Sequence, residues 1–290
     1  MRGKLDMQYL RKFPPYILTG LLFVASALQG ANVIFDLGGV LIDTNKSAVT
    51  RQLGLGNILT YFFSTGKASS AIKQKLYEIL YKLDSIAINS SCAHDHDGQL
   101  LPALMCDWMT GAQTPKEILH IVVSAIDNNP DWFATKSEKK LVRNVARMMF
   151  TPKRFAKTRE LIKDGIKFLQ QCKQVGHNIY ILSNWDAESI DVLQNNNKQF
   201  KKLIDLCDGV AISAKYGVMK PNKKFYKNLL NEYRLTPGDC VFFDDQLENI
   251  EAAQQLGMHG IRVVNKNFKD AQQAFRHWEK HKQLTHLVWV

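Results

Sequence analysis

The sequence predicts an α/β protein in which a doubly wound parallel sheet carries an all-helical region inserted after its first strand. Three observations support this fold class. Short apolar runs of strand length recur along the chain, amphipathic stretches of helical length separate the later runs, and residues 45–157 contain helical patterns with few strand signals. Buried strands that alternate with amphipathic helices are typical of a parallel sheet with right-handed crossovers.

The strands and helices of the sheet domain follow from this alternation. Strands are predicted over residues 33–37, 178–183, 208–213, 240–245 and 259–264. Helices are predicted between the later strands, over residues 160–175, 186–202, 221–233 and 246–256. Ligands of such sheets bind beyond the carboxyl ends of the strands. We therefore expect the functional site at that edge.

Helical patterns dominate the inserted region, over residues 68–84, 99–110, 114–126 and 137–150. Thr114, Pro115 and Glu117 form a helix-start signal, with Thr as the N-cap, Pro at the first helical position and Glu closing a capping box. Two domains are expected. Residues 32–44 and 158–290 form an α/β core, and residues 45–157 form a helical cap.

The N-terminal segment has the layout of a secretory signal peptide: residues 1–15 are basic, 16–28 are uncharged and apolar, and the small Gly30 and Ala31 follow. The apolar run is shorter than the roughly 17–25 residues of a membrane-spanning helix. We predict that residues 1–31 are a signal peptide or an N-terminal anchor; an ordinary helix is the alternative. A signal peptide predicts export to the periplasm or the medium, and otherwise the protein is membrane-anchored or cytoplasmic.

The charge of the chain is +11, from 38 Lys and Arg against 27 Asp and Glu. Such a balance favours anionic ligands. The cations are scattered and no nucleic-acid-reading module accompanies them, so we predict no nucleic-acid partner. Membrane contact is expected only through an uncleaved N-terminal segment, and the oligomeric state is left open.

The five cysteines include no C-x-x-C pair, which argues against structural zinc and a dense disulfide framework. Cys172 and Cys240 lie in apolar patterns and are expected to be buried as small hydrophobic residues. A disulfide between Cys92 and Cys106 is an open alternative if the protein is exported.

Polar residues end three of the predicted strands. Asp36 and Ser183 each finish an apolar run, and the adjacent acids Asp244 and Asp245 finish another. Because parallel strands end at one edge, these side chains should converge there. Two neighbouring acids after an apolar strand are costly unless a cation offsets them, and Mg²⁺ prefers such oxygen ligands. Two capping acids at a helix start are the alternative.

Four segments resemble the conserved motifs of the haloacid dehalogenase superfamily, in the expected order and on the expected strands and loops. They are VIFDLGGVL at 33–41, ILSNW at 181–185, GVMKP at 217–221 and VFFDDQLEN at 241–249. The resemblance covers residues 32–44 and 158–265. It implies a Rossmann-like core with a cap domain at the position of the helical insertion.

The resemblance assigns a chemical role to each strand-end residue. It makes Asp36 the nucleophile that forms a covalent aspartyl intermediate. Ser183, with Asn184 beside it, would hydrogen-bond the transferring group, and Lys220 would neutralise charge on the nucleophile and substrate. The alternatives are a strand-end turn at Asp36, a serine turn at Ser183 and an exposed lysine at Lys220.

The resemblance also implies a Mg²⁺ site. Asp245 is the expected direct ligand, with Asp36 and the main-chain carbonyl of Gly38. Asp244 is expected close by or bound through water, and Asn249 is expected to orient these groups from the following helix.

Gly38 departs from the family pattern. Phosphatases of the family usually carry a second Asp at this position as the general acid/base, a role that contributes typically 10²–10⁴-fold. We expect slow turnover or a substitute, for which Asp43 is one option and a loop cap the alternative. The acidic and histidine residues 94–97 are interpreted as an exposed loop rather than a metal site.

The leading hypothesis is therefore a Mg²⁺-dependent phosphatase of a small phosphorylated metabolite. A binding protein with little or no activity is the first alternative. A carbon–halogen or epoxide hydrolase is the second.

Overall fold

The computed structural model describes residues 30–68, 70–88, 93–95 and 98–288. Its strands are, in chain order, β1 (Asn32–Phe35), β2 (Ile42–Thr44), β3 (Arg159–Leu161), β4 (Asn178–Ser183), β5 (Gly209–Ile212), β6 (Cys240–Asp244) and β7 (His259–Arg262). Five of them form a parallel sheet in the order β5-β4-β1-β6-β7. The predicted doubly wound parallel sheet is confirmed, and β1 lies at its centre between β4 and β6.

The sheet is buried on both faces, as expected for parallel strands covered by helices. Alternate residues of β1 point to opposite faces, so Phe35 packs in one hydrophobic cluster and Ile34 in the other. On the first face the ring of Phe35 stacks on Phe243, with their centroids 5.1 Å apart. Cys172 and Cys240 are buried, as the sequence predicts.

The core contains seven helices after β3, in chain order: α8 (Lys163–Gln174), α9 (Ala187–Asn196), α10 (Lys198–Asp205), α11 (Ser213–Tyr216), α12 (Lys223–Glu232), α13 (Leu247–Gln254) and α14 (Phe268–Val288). Two predictions here were wrong. The helix predicted from residue 160 begins at Lys163, because the preceding residues pair as β3. The helix predicted over 186–202 is two helices, since the Asn197 side chain caps the backbone N–H groups of Gln199 and Phe200.

The region between β2 and β3 contains helices α1 (Lys46–Leu53), α2 (Leu55–Thr65), α3 (Ala71–Lys82), α4 (Ala103–Thr110), α5 (Pro115–Asn128), α6 (Lys136–Met149) and α7 (Pro152–Ala156). We call residues 45–157 the insertion. The patterns identified α3 to α6 and the capping box of α5, which the structure contains. They missed α1, α2 and the short α7. The insertion has a hydrophobic cluster of its own, to which Met219 of the core also contributes.

The insertion leaves and rejoins the core through one short ribbon. Strands β2 and β3 are antiparallel, with Ile42 opposite Leu161. Immediately after β2, the backbone N–H of Asn45 donates to the carbonyl of Thr158 at 2.8 Å, while its side chain caps α1. The two chain connections of the insertion are therefore side by side.

Within residues 30–288, as far as they are described, no helix combines the length and the apolar character that crossing a bilayer requires. The segment predicted as a signal peptide or anchor, 1–31, lies outside the described residues except for Gly30 and Ala31.

Candidate active site

The carboxyl ends of β1, β4 and β6 bring the predicted residues together. Asp36 directly follows β1, Ser183 is the last residue of β4 and Asp244 the last of β6, and all three are buried. One carboxylate oxygen from each of Asp36, Asp244 and Asp245 lies within 4.8 Å of the others. Adjacent parallel strands thus produce the convergence that the sequence predicts.

Lys220 lies between two of these acids. Its side chain is only 1% exposed, and Nζ lies 2.9 Å from Asp36 Oδ1 and 2.5 Å from Asp244 Oδ2. Burial alone would lower the pKa of Lys220, but the charges of Asp244 and Asp36 outweigh burial and raise it. The ammonium is therefore a fixed positive charge at the site.

Asp36 occupies an environment that resists its ionisation. Burial is the largest effect and, with repulsion from Asp244, raises the pKa of Asp36 to about 6 against the opposing pull of Lys220 and a hydrogen bond from Ser183. The strand fixes its backbone, whose N–H donates to the carbonyl of Phe243 at 2.9 Å. The carboxylate is held in place without being strongly stabilised as an anion.

Asp244 and Asp245 are neighbours with different surroundings. Asp244 is fully buried and its oxygens accept from Lys220, from the backbone N–H of Gln246 at 2.8 Å and from Asn249 Nδ2 at 3.1 and 3.2 Å. Asp245 is half-buried, and its carboxylate accepts no hydrogen bond from another described residue. Burial and repulsion from Asp36 and Asp244 raise the pKa of Asp245 to about 7.

Asn184 holds the loop that carries Lys220. Its Nδ2 donates to the carbonyl of Lys220 at 2.9 Å, and its Oδ1 accepts from the Lys220 backbone N–H at 2.8 Å. That this side chain also binds substrate stays a prediction. Both of its polar atoms hold the backbone of Lys220, the loop residue whose side chain must reach Asp36.

Asn249 supports the site from α13, as the sequence suggests. Besides bonding Asp244, its Nδ2 lies 3.2 Å from Gln246 Oε1, and its own backbone carbonyl accepts from the buried Tyr226 hydroxyl at 2.9 Å. Its buried Oδ1 has no partner among the described residues. Tyr226 was not singled out in the sequence, because nothing in its local pattern shows which carbonyl it meets.

Two glycines shape the turn after Asp36. Gly39 has a φ of +71°, and a Cβ there would lie 2.3 Å from Asp245 Oδ2, so only glycine fits. Sequence reasoning missed this close approach, although the Gly-Gly pair following a strand signals it. Gly38 has no such requirement: a Cβ there would meet Asp36 Oδ2 at an ordinary 3.8 Å.

The other polar candidates have partners elsewhere. Asp43 pairs with Lys266, and its pKa is lowered: burial opposes the shift, but the Lys266 hydrogen bond and the Thr44 backbone outweigh it. This argues against Asp43 as a substitute base. In the 94–97 stretch, His94 contacts Glu248 and Asp95 contacts Lys73, while His96 and Asp97 lie outside the described residues, as does Cys92 of the suggested disulfide.

The donor set fits a divalent cation. Three carboxylates and one ammonium leave a formal charge of −2 in a largely buried space. All the free donors are oxygens, which Mg²⁺ prefers, and it is usually held by one or two carboxylates with several waters. Of the three acids, Asp245 is the one whose carboxylate is open, whereas Asp244 is already occupied by protein donors.

Comparison with known proteins places this geometry in a family. Residues 31–257 match the sequence profile described as a hydrolase, haloacid dehalogenase-like hydrolase. The curated relatives include a sesquiterpene phosphatase of Aspergillus oryzae, 32% identical over 97 residues that make up 33% of this chain and 47% of that protein. An enolase-phosphatase of Shewanella pealeana is 28% identical over 110 residues, 37% of this chain and 46% of that protein.

These matches span less than half the length of either relative. Among solved structures, a HAD-like hydrolase described as predicted, from Porphyromonas gingivalis, superposes with a TM-score of 0.51 at 17% identity, covering 85% of this chain and 98% of that one. A HAD family enzyme of Bacteroides thetaiotaomicron gives 0.50 at 15% identity over 80% and 93%. These structures share the fold, and with the profile match they show that this chain belongs to the haloacid dehalogenase-like hydrolase family.

Proposed function

We propose that this hydrolase is a Mg²⁺-dependent phosphatase that acts on a small phosphorylated molecule through an aspartyl-phosphate. The observation that carries the proposal is the buried contact of Lys220 with Asp36 beside the open carboxylate of Asp245. The names of the curated relatives, one acting as a sesquiterpene phosphatase and another as an enolase-phosphatase, support phosphate-ester chemistry.

Asp36 is the proposed nucleophile. Its carboxylate attacks phosphorus and displaces the alcohol of the substrate, and water then cleaves the aspartyl-phosphate to release phosphate and restore the carboxylate. Lys220 Nζ, 2.9 Å from Asp36 Oδ1, stabilises the charge that develops on the transferring group. Ser183, the buried last residue of the neighbouring strand β4, is placed to donate its hydroxyl to the same group.

Asp36, Asp245 and the carbonyl of Gly38 would hold the metal ion. When bound, Mg²⁺ supplies positive charge that offsets the substrate phosphate and the crowded carboxylates. In this proposal Asp244 is the counter-ion that fixes Lys220, and Asn249 in turn fixes Asp244. Of the two positions expected for Asp244, close to the metal or bound to it through water, this proposal favours the first.

The insertion is the proposed cap, and it would close over the substrate and exclude water. The loop that carries Lys220 supports this view, because the neighbouring Met219 packs in the hydrophobic cluster of the insertion.

The proposal is tested by hydrolysis of p-nitrophenyl phosphate and a panel of phosphorylated metabolites, with Mg²⁺ or with EDTA. We expect turnover that requires the metal and is abolished in Asp36→Asn. The exposed Asp205→Asn on α10 is the matched control and should behave as the wild type. Full metal-dependent activity in Asp36→Asn would exclude this mechanism.

Gly38 favours a second candidate, a protein that binds phosphate and metal but does not turn substrate over. This candidate predicts Mg²⁺-supported binding of inorganic phosphate with no hydrolysis across the panel. Robust hydrolysis of any member of the panel would eliminate it.

A further inference from the structure

A side-chain contact between the insertion and the core lies at the start of α13, close in sequence to Asp245. His94, in the insertion, meets Glu248, on the first turn of α13. The backbone N–H of His94 donates to Glu248 Oε1 at 2.9 Å, and the ring Nδ1 lies 2.7 Å from Oε2. Because a carboxylate only accepts, Nδ1 carries the proton in this contact. Both oxygens of Glu248 are thus engaged by one residue that lies 154 positions away in sequence.

Glu248 is placed so that this contact bears on the site. It directly precedes Asn249, whose amide bonds Asp244, and α13 begins two residues after Asp245. The helix turn that receives the insertion is therefore the turn that supports the buried acids. Among the described residues, Glu248 is the motif residue of α13 whose side chain hydrogen-bonds the insertion.

The other side of the contact is fixed to the helices of the insertion. His94 pairs with Leu100 in an antiparallel bridge, and the carbonyl of Leu100 accepts from the Tyr81 hydroxyl on α3. Beside it, Asp95 Oδ2 accepts from Lys73 Nζ, also on α3, at 2.8 Å. The position of His94 is therefore coupled to that of α3 by hydrogen bonds.

We propose that His94 and Glu248 are a positioning pair that holds the insertion closed over the carboxyl edge of the sheet during catalysis. The proposal deepens, and rests on, the phosphatase function proposed above. Neither residue reacts. Their contact keeps the cap and α13 in register, so that the substrate is enclosed when Asp36 attacks.

The pair is well suited to a contact that forms and breaks. The side chains of His94 and Glu248 are 42% and 27% exposed, so water can replace each partner when the contact opens. Charge-assisted hydrogen bonds with this exposure stabilise a closed state modestly, by about tenfold in the closing equilibrium. A buried ion pair would instead lock the cap shut.

The test compares His94→Ala, Glu248→Ala and the double variant with the wild type. For p-nitrophenyl phosphate with Mg²⁺ we expect kcat/KM to fall about tenfold in each single variant, carried by kcat. The double variant should fall no further, because either change removes the same contact. Inhibition by inorganic phosphate should be unchanged, since phosphate alone reaches Ser183 and Lys220 without the insertion.

Two further variants separate positioning from a general loss of structure. Glu248→Gln keeps an oxygen that accepts from the His94 N–H and should recover most of the lost kcat. Asp205→Ala removes one half of an exposed ion pair on α10 and should leave kcat/KM within twofold of the wild type.

Amide hydrogen exchange tests the contact without turnover. Residues 93–101 should exchange about tenfold faster in Glu248→Ala, because the His94 N–H loses its acceptor, while α10 should be unchanged. Unaltered exchange, or faster exchange with unaltered kcat/KM, would overturn the proposal. If the wild type hydrolyses nothing, the phosphatase function fails, and exchange alone then decides whether the pair holds the insertion.

Discussion

Buried acids at the edge of the sheet and buried acids in the insertion have opposite surroundings. In the insertion, Asp107 accepts from the Ile88 backbone N–H at 2.7 Å and from Gln113 Nε2 at 2.9 Å, and Glu138 accepts from the Ala134 N–H. At the edge of the sheet, Asp36 and Asp245 face other carboxylates, and burial raises the pKa of both.

The comparison distinguishes structural acids from functional ones. An acid surrounded by N–H donors stabilises the fold, whereas acids that crowd one another destabilise it until a cation binds. Burial does not make the distinction, because Asp36 and Asp107 are both buried. The chemical nature of the neighbours does.

The largest effect is expected from the nucleophile. Asp36→Asn should lower kcat for aryl phosphates at least 10³-fold, because the amide cannot form the covalent intermediate. Asp107→Asn in the insertion, which keeps one oxygen acceptor, should retain kcat in the molecules that remain folded. Steady-state kinetics on both variants measure the two values of kcat. A comparable loss of kcat in Asp107→Asn would contradict the distinction between functional and structural acids.

Gly38→Asp should raise kcat. The site accepts a Cβ at 3.8 Å from Asp36 Oδ2, and a carboxyl there would be placed for acid/base catalysis. We expect kcat to rise about tenfold or more with Mg²⁺, and the metal-free protein to be less stable because a fourth acid is added. Gly38→Asn, of equal size but without acid/base function, is the control. An equal gain in Gly38→Asn would contradict the prediction.

Removing a structural acid should reduce stability instead. Asp107→Ala leaves the Ile88 N–H and the Gln113 amide without that acceptor, which costs about 2–3 kcal/mol in the free energy of unfolding. Thermal and urea unfolding measure this loss. The exposed Asp205→Ala should change stability by less than about 1 kcal/mol. A loss of stability as small as that of Asp205→Ala would show that Asp107 is not structural.

Asp245→Asn should stabilise the protein when metal is absent. The pKa of Asp245 is raised to about 7 in the fold, so the folded state holds more protons than the unfolded state between about pH 4 and 7. The stability contributed by this group therefore falls as pH rises through that window. At pH 8 in EDTA we expect Asp245→Asn to exceed the wild type by about 1–2 kcal/mol, since partial exposure screens the charge.

The same variant should lose most of the stabilisation that Mg²⁺ gives the wild type. Unfolding curves at pH 5 and pH 8, with and without the metal, measure both effects. At pH 5, where the carboxyl of Asp245 is protonated in the wild type, the difference between the two metal-free proteins should shrink. A metal-free Asp245→Asn less stable than the wild type at pH 8 would contradict the assignment.

The sequence could predict the edge of the sheet because topology makes that convergence unavoidable. Asp36, Ser183 and Asp244 end apolar strands, and parallel strands of one sheet end at the same side. The family motifs added Lys220 and Asn249, which no local pattern would place. The roles of Asp244 and Asn184 could not be predicted from the sequence, because they depend on which hydrogen-bond donors the packed loops bring within about 3 Å.

The insertion and its connections to the core were harder to predict, for two physical reasons. Strands β2 and β3 are three residues each and pair across more than 110 positions, so no local periodicity marks them. The contact of His94 with Glu248 likewise joins distant residues, although Glu248 stands within a recognised motif. Helices α3 to α6 were found because an apolar stripe and helix caps are local signals.

The central claim is that Asp36 carries the phosphoryl group, and rapid acid quenching followed by peptide mass analysis tests it most directly. Wild-type protein mixed with p-nitrophenyl phosphate and Mg²⁺ should show the mass of one phosphoryl group on the peptide that contains Asp36, and Asp36→Asn should show none. Metal-dependent turnover that persists in Asp36→Asn, or a phosphoryl group on a different peptide, would contradict the account.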